Sequence, residues 1–306
     1  FHWRRMLSAA VATLPQPTGS ATISVLLVGH SEIRLMIRHR LPRPLAALLI
    51  VAALCCGVRA DEFTDRANAV YATIRPERRS DTVLLPVVAK MDAPPASCAT
   101  IRNAMLLPAG SSGWAAAEQW ATAAPQKAVL EALDKLTQEE NPNDAYAFGQ
   151  PYGSDALGRT PEGVALIRAG LYTDLGDPPM LAGARFLYLP ALERVASLVN
   201  VEATRLAAAG KPSDAMHLLL DWLFFARQMA DRASFQECRW GLRMMIVTFD
   251  RVRDVAYVDF RDGKRQLTQE NFAEIIKRIR NDGGFLRFDR LVFPVLPRIA
   301  GEQVVA

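Results

Sequence analysis

Histidine and cysteine are scarce in this sequence. Of 306 residues four are His and four are Cys, and beyond residue 60 only His217, Cys98 and Cys238 remain. That excludes zinc sites of the usual kind, which take four Cys or His ligands. There is no Cys-x-x-Cys-His for covalent haem, no G-x-S-x-G elbow, no His-Glu-x-x-His, no P-loop and no Gly-x-Gly-x-x-Gly. A serine triad would have to use His217, and no serine stands in a context that marks a nucleophile. No metal and no cofactor is therefore expected. Long apolar runs are missing too: Leu45 to Val58 falls short of the ~20 residues a membrane span needs. A basic excess is also lacking once the first 60 residues are set aside. They hold seven of the 36 Lys and Arg and one of the 32 Asp and Glu, leaving 29 basic against 31 acidic side chains. Nothing in that balance points to nucleic acid.

What is present first is an address. Arg38, His39, Arg40 and Arg43 form a positive segment, Leu45 to Cys56 a short apolar one, and Val58-Arg59-Ala60 puts small residues at the −3 and −1 positions of a cleavage site. Residues 36–60 thus read as a secretory signal peptide, with the mature chain periplasmic or extracellular and no stable span after processing. Residues 1–35 are expected to lie upstream of the true start at Met36. The stretch Phe293 to Pro297 runs into Ala306 without an obvious stop, so residues 61–306 are read as a helical domain, or as the N-terminal part of something longer, in which case Phe285 to Pro297 would leave apolar side chains uncovered. In an oxidising compartment Cys98 and Cys238 are either a disulfide that closes a long loop or two buried thiols.

Apolar residues recur three and four apart through most of the mature chain, which predicts an all-α fold of packed antiparallel helices with little or no sheet. Helices are expected over 61–75, 97–107, 114–120, 126–136, from Pro190 to a Gly210 cap, over 214–231, over 235–260, and after Thr268. The segment from Met180 to Leu189 also carries helical signal. In the long helix, Phe235, Cys238, Leu242, Met245, Phe249, Val252 and Ala256 trace a heptad seam. Leu267 is expected to pack on Phe272 as a staple beside the Thr268 cap, with Ile275, Ile276 and Ile279 facing inward. Residues 141–160 read as a loop dividing two helical parts. Its Tyr146, Phe148 and Tyr152 make it a candidate binding segment or a packed connector.

The helix from Asp214 to Asp231 is apolar nearly all round, with Met216, Leu219, Trp222, Leu223 and Phe225 among its residues. Its polar residues Asp214, His217, Asp221 and Gln228, followed by Arg232, fall within one narrow stripe at 100° per residue. The simpler reading is a face left to water. The functional one makes His217 a general base oriented by Asp221, with Asp214 one turn away. Carboxylate pairs for a hydrolase need no local motif. Asp174 with Asp177, Glu139 with Glu140 and Asp259 with Asp262 are available, each also explicable as a loop or helix end. Trp114, Trp120, Trp222 and Trp240 either line a groove or fill the core.

Ala203, Gly210, Ala215 and Leu219 occupy the small, turn, small and large positions of a helical hairpin that resembles a tetratricopeptide-type repeat. Glu202 and Trp222 depart from that pattern, and no second copy follows. Phe148-Gly149-Gln150-Pro151-Tyr152-Gly153, Gly176-Asp177-Pro178-Pro179 and Asp221-Trp222-Leu223-Phe224-Phe225-Ala226-Arg227 resemble exported, uncharacterised helical proteins of environmental bacteria, a likeness that implies no activity. The expectation is an exported scaffold or binding module whose ligand is a protein or peptide, with Tyr146, Phe148, Tyr152 and Trp222 as candidate contacts. The alternative is a carboxylate-dependent hydrolase.

Overall fold

The computed structural model of the protein describes residues 64–136, 146–177, 179–261, 263 and 266–279. The signal segment 36–60, the stretch before it and Phe285 to Pro297 lie outside these. The architecture is all-α. Helices α1 (64–72), α2 (Ser80–Val88), α3 (Ile101–Leu106), α4 (Trp114–Ala121) and α5 (Ala124–Lys135) precede the short α6 (Ser154–Leu157) and α7 (Pro161–Arg168). The longer α8 (Leu189–Ala208), α9 (Pro212–Ala230), α10 (Phe235–Arg261) and α11 (Gln269–Ile279) follow. Among the described residues no helix is long and apolar enough to cross a membrane.

Between α7 and α8 the chain departs from the expected helix at Met180 to Leu189. Thr173–Asp174 (β1) pairs antiparallel with Arg185–Phe186 (β2). Burial alternates from Ala184 to Tyr188, the period of a strand rather than a helix. The Arg185 guanidinium donates to Asp174 across the pair.

Among the described helices α9 is packed by α5, α8, α10 and α11. This accounts for its nearly continuous apolar surface. The turn joining α8 to α9 is a Schellman closure: Lys211 N–H donates to the Leu206 carbonyl at 2.9 Å and Gly210 N–H to that of Ala207 at 3.2 Å. Gly210 takes φ +77°, which a side chain would strain. Pro212 opens α9, two residues before the expected start at Asp214, and the Ser213 hydroxyl inside the first turn accepts from Asn271 of α11 at 3.2 Å.

In α10 the heptad seam read in the sequence holds only in part. Cys238 and Met245 of that seam are buried, but so are Glu237, Trp240, Gly241, Met244, Thr248, Val255 and Asp259 beside it, whereas Leu242, Phe249, Val252 and Ala256 are only partly covered and Phe235 is exposed. Gly241 widens the buried face. A Cβ there would stand 2.5 Å from Ala230 N and 2.7 Å from the Ala226 carbonyl oxygen, so the bare backbone lets α10 close on α9. A hydrophobicity pattern cannot register a contact made by the absence of a side chain. In α11 Thr268 and Asn271 cap each other as expected (2.9 and 3.3 Å) and Ile275 is buried. Phe272 and Ile276 are exposed rather than inward-facing.

At the α9–α10 turn a salt bridge is wholly buried. Arg232 Nε donates to Glu237 Oε1 at 2.7 Å, with side-chain exposures of 1% and 0%. Its Nη1 and Nη2 donate to the carbonyls of Phe148 (3.2 Å) and Gln150 (2.8 Å). Three phenols complete the shell. Tyr152 donates to Glu237 Oε2 at 2.6 Å, Tyr188 donates to Oε1, and Tyr71 accepts from Ala233 N–H at 2.8 Å. The Arg232 Cζ lies 3.9 Å from the Tyr71 ring centre and 4.5 Å from that of Tyr152, cation–π distances. Burial opposes the charge on Arg232, yet Glu237 and the phenols hold its pKa above the already high ordinary value.

Removing one partner leaves the other charged and uncompensated in the core, a loss of about 3–5 kcal/mol. Arg232→Met is expected to lower stability by that amount in urea denaturation. The double variant Arg232→Met/Glu237→Leu should cost clearly less than the two single changes summed; a fully additive double variant would show that the pair is not coupled.

Burial also raises the pKa of Tyr71, Tyr152 and Tyr188. Unfolded, these phenols ionise near pH ~10, while in the fold they keep their protons. The native state thus binds more protons above that pH, and stability must fall as pH rises. Denaturation midpoints should decline beyond the alkaline ionisation of ordinary tyrosine, and Tyr188→Phe should shallow the decline.

Candidate functional site

The residues that looked most eligible for chemistry are spent on packing. Phe148 and Tyr152 are buried and belong to the shell around Arg232. Trp222 stacks on Phe225 at 5.5 Å inside the core, and Trp114, Trp120 and Trp240 are buried as well. Tyr146 is half-buried beneath the Arg78 guanidinium. The stretch Tyr146 to Gly153 is a packed strap. Ala147 N–H donates to Arg78 O at 3.0 Å, Gly149 N–H to Asp81 Oδ1 at 2.9 Å, and the Tyr152 backbone exchanges two bonds with the Asn68 amide at 2.7 and 3.0 Å. Such a segment has little backbone left to offer a ligand.

The polar stripe of α9 is not simply a face left to water. Asp221 and Gln228 are buried with Arg232, and only Asp214 is well exposed, beside Lys211 at 4.0 Å. Helix α11 covers the middle of the stripe. Arg278 reaches His217 Nδ1 at 3.4 Å and Asp221 Oδ1 at 3.2 Å, and Glu274 lies 3.8 Å from His217 Nε2. A guanidinium only donates, so Nδ1 accepts and its lone pair is occupied. His217 here tethers two helices, and Arg278 engages the carboxylate proposed to orient it.

The carboxylate pairs are likewise engaged or lie elsewhere. Asp174 is held by Arg185, which with the Gly176 N–H lowers its pKa, while Asp177 is exposed. Asp259 accepts from the N–H groups of Gln266 (3.2 Å) and Leu267 (3.0 Å) and fixes the turn into α11. Glu139, Glu140 and Asp262 lie outside the described residues. Among the described residues no cluster of three His, Cys, Asp or Glu could hold a metal ion.

A concave site lies where the sequence marked nothing. Helices α3 and α10 both rest on the first turns of α8 and leave a groove of about 630 Å³ between them. Ile101 and Met105 of α3 and Met244 and Val247 of α10 form apolar walls. Leu106, 69% exposed, stands at the rim. Each of the three helices adds one arginine to the lining: Arg102, Arg194 and Arg243. Glu193 is the one carboxylate in that lining, and Arg243 donates to it. An isolated, ion-paired carboxylate does not make the acid–base pair that the hydrolase reading requires.

Sequence reasoning missed Glu237 and the groove arginines. The signal for Glu237 was Ser234-Phe235-Gln236-Glu237, the spacing of a capping box. Ser234 Oγ does accept from Gln236 N–H at 3.3 Å, but Glu237 turns inward to Arg232 and leaves the Ser234 N–H to Tyr152. The arginines carry no local signal, because they converge from three separate helices.

Cys98 and Cys238 are not joined; both are free, buried thiols. Of the two readings left open by the sequence, the disulfide is absent and the pair of buried thiols is found. Burial pushes each thiol up to about 11. Native protein should resist iodoacetamide at neutral pH, and denatured, non-reduced protein should gain two adducts. An unchanged mass after denaturation would mean a bond exists. Neither models of protein families, nor curated proteins, nor solved structures match this chain.

Proposed function

We propose that this chain is an exported, non-catalytic binding module that holds a segment of a protein or peptide in the groove between α3, α8 and α10. One observation carries the reading: a cavity of about 630 Å³ with apolar walls and an exposed leucine at its rim. Helix-lined grooves of this kind take apolar anchor residues of a peptide, while polar groups at the edge set its orientation. The walls belong to helices docked on α8, so the groove is formed before any ligand arrives, which limits the ordering cost of binding.

Val247 is partly covered and projects into the groove, so Val247→Asp places a charge on the apolar wall with little demand on the core. Peptides selected from a random displayed library against the protein should lose at least about tenfold in affinity for Val247→Asp, some 1.4 kcal/mol. Peptides that bind both forms equally would place recognition elsewhere, and a selection that enriches nothing would sink the proposal.

A further inference from the structure

We infer that the segment held by this groove is acidic: a polypeptide stretch in which carboxylates flank one or two large apolar side chains. This rests on the groove being the binding site, and it adds the chemistry of the partner. The argument is charge complementarity. Arg102, Arg194 and Arg243 approach from three different helices, against the single carboxylate of Glu193. Glu193 is taken by Arg243, whereas Arg102 and Arg194 have no carboxylate partner among the described residues. The positive balance is local, because the chain beyond residue 60 carries more acidic than basic side chains. Arginines without partners in a concave, partly apolar site concentrate their field there and favour planar, bidentate contact with carboxylates. The apolar walls supply what the charges do not, a seat for Leu or Phe side chains between the carboxylates. A trough with its rim open to solvent also suits a chain that passes through it better than an acyl tail, which needs enclosure.

The test compares the charge of peptides selected from one random displayed library by the wild-type protein and by Arg102→Glu/Arg194→Glu. Arg102 is exposed and Arg194 partly so, and a melting curve confirms that the variant folds. The expected result is acidic peptides with a central Leu or Phe from the wild type, and a switch to basic peptides from the variant. Synthetic copies of the acidic peptides should bind the variant at least about tenfold more weakly, and should weaken several-fold in the wild type between ~0.05 M and ~0.3 M NaCl as screening sets in. Selected peptides that are uncharged, indifferent to the double reversal, yet lost on Val247→Asp would overturn the acidic partner and leave the groove standing. Peptides unaffected by either variant would overturn both. So would a failure to enrich any peptide while vesicles of phosphatidylglycerol and phosphatidylcholine bind in a manner abolished by the double reversal, since the arginines would then serve an anionic membrane surface.

Discussion

The contact on which the rest of this structure depends is the buried pairing of Arg232 with Glu237. A guanidinium in the core needs hydrogen-bond acceptors, and here each of its three nitrogens finds one, two of them in a distant part of the chain. Glu237 begins α10, while the carbonyls of Phe148 and Gln150 belong to the strap before α6. The carboxylate is satisfied in turn by Tyr152 and by Tyr188, which stands at the entrance to α8. One charge pair thereby sets the turn between α9 and α10, the path of the strap and the start of α8. Such a pair adds little net stability over a well-packed apolar core, but it tolerates few alternative arrangements. It reaches the groove through α8 and α10, both of which begin at this cluster.

The conspicuous residues of the chain are therefore structural. The aromatic rings of the strap and of α9, and the one histidine beyond residue 60, are consumed by packing or by a helix–helix tether. The strap aromatics enclose Arg232, Trp222 fills the core beside Phe225, and His217 receives Arg278 from α11. The groove is built instead from common residues, Ile, Met, Val and Arg, with no chemistry of their own. A binding surface needs shape and a pattern of charge, and both come from how helices are set against one another.

Legibility in the sequence followed from how local each signal was. The Gly210 closure and the Thr268 cap depend on neighbours a few residues away and were read correctly. The α8–α9 hairpin followed from them. The segment Met180 to Leu189 misled because its apolar content suits either period, and the pairing of Arg185 with Asp174 decided for strand. The α10 seam was legible only at Cys238 and Met245, which are buried. Hydrophobicity also placed Leu242 and Phe249 on it, but backbone contact with α9 is made at Gly241, where there is no side chain to count.

By itself the sequence determined an all-α chain, most helix boundaries, the turn chemistry between α8 and α9, and the burial of α9 on nearly every side. These depend on periodicity and short-range capping, which are written in consecutive residues. Tertiary structure alone decided that Cys98 and Cys238 stay apart, that Glu237 leaves its capping position for Arg232, that α11 covers the polar stripe, and that three arginines from three helices share one groove. Each of those outcomes is a distance between residues far apart in the chain, and such distances exist only once the helices have packed.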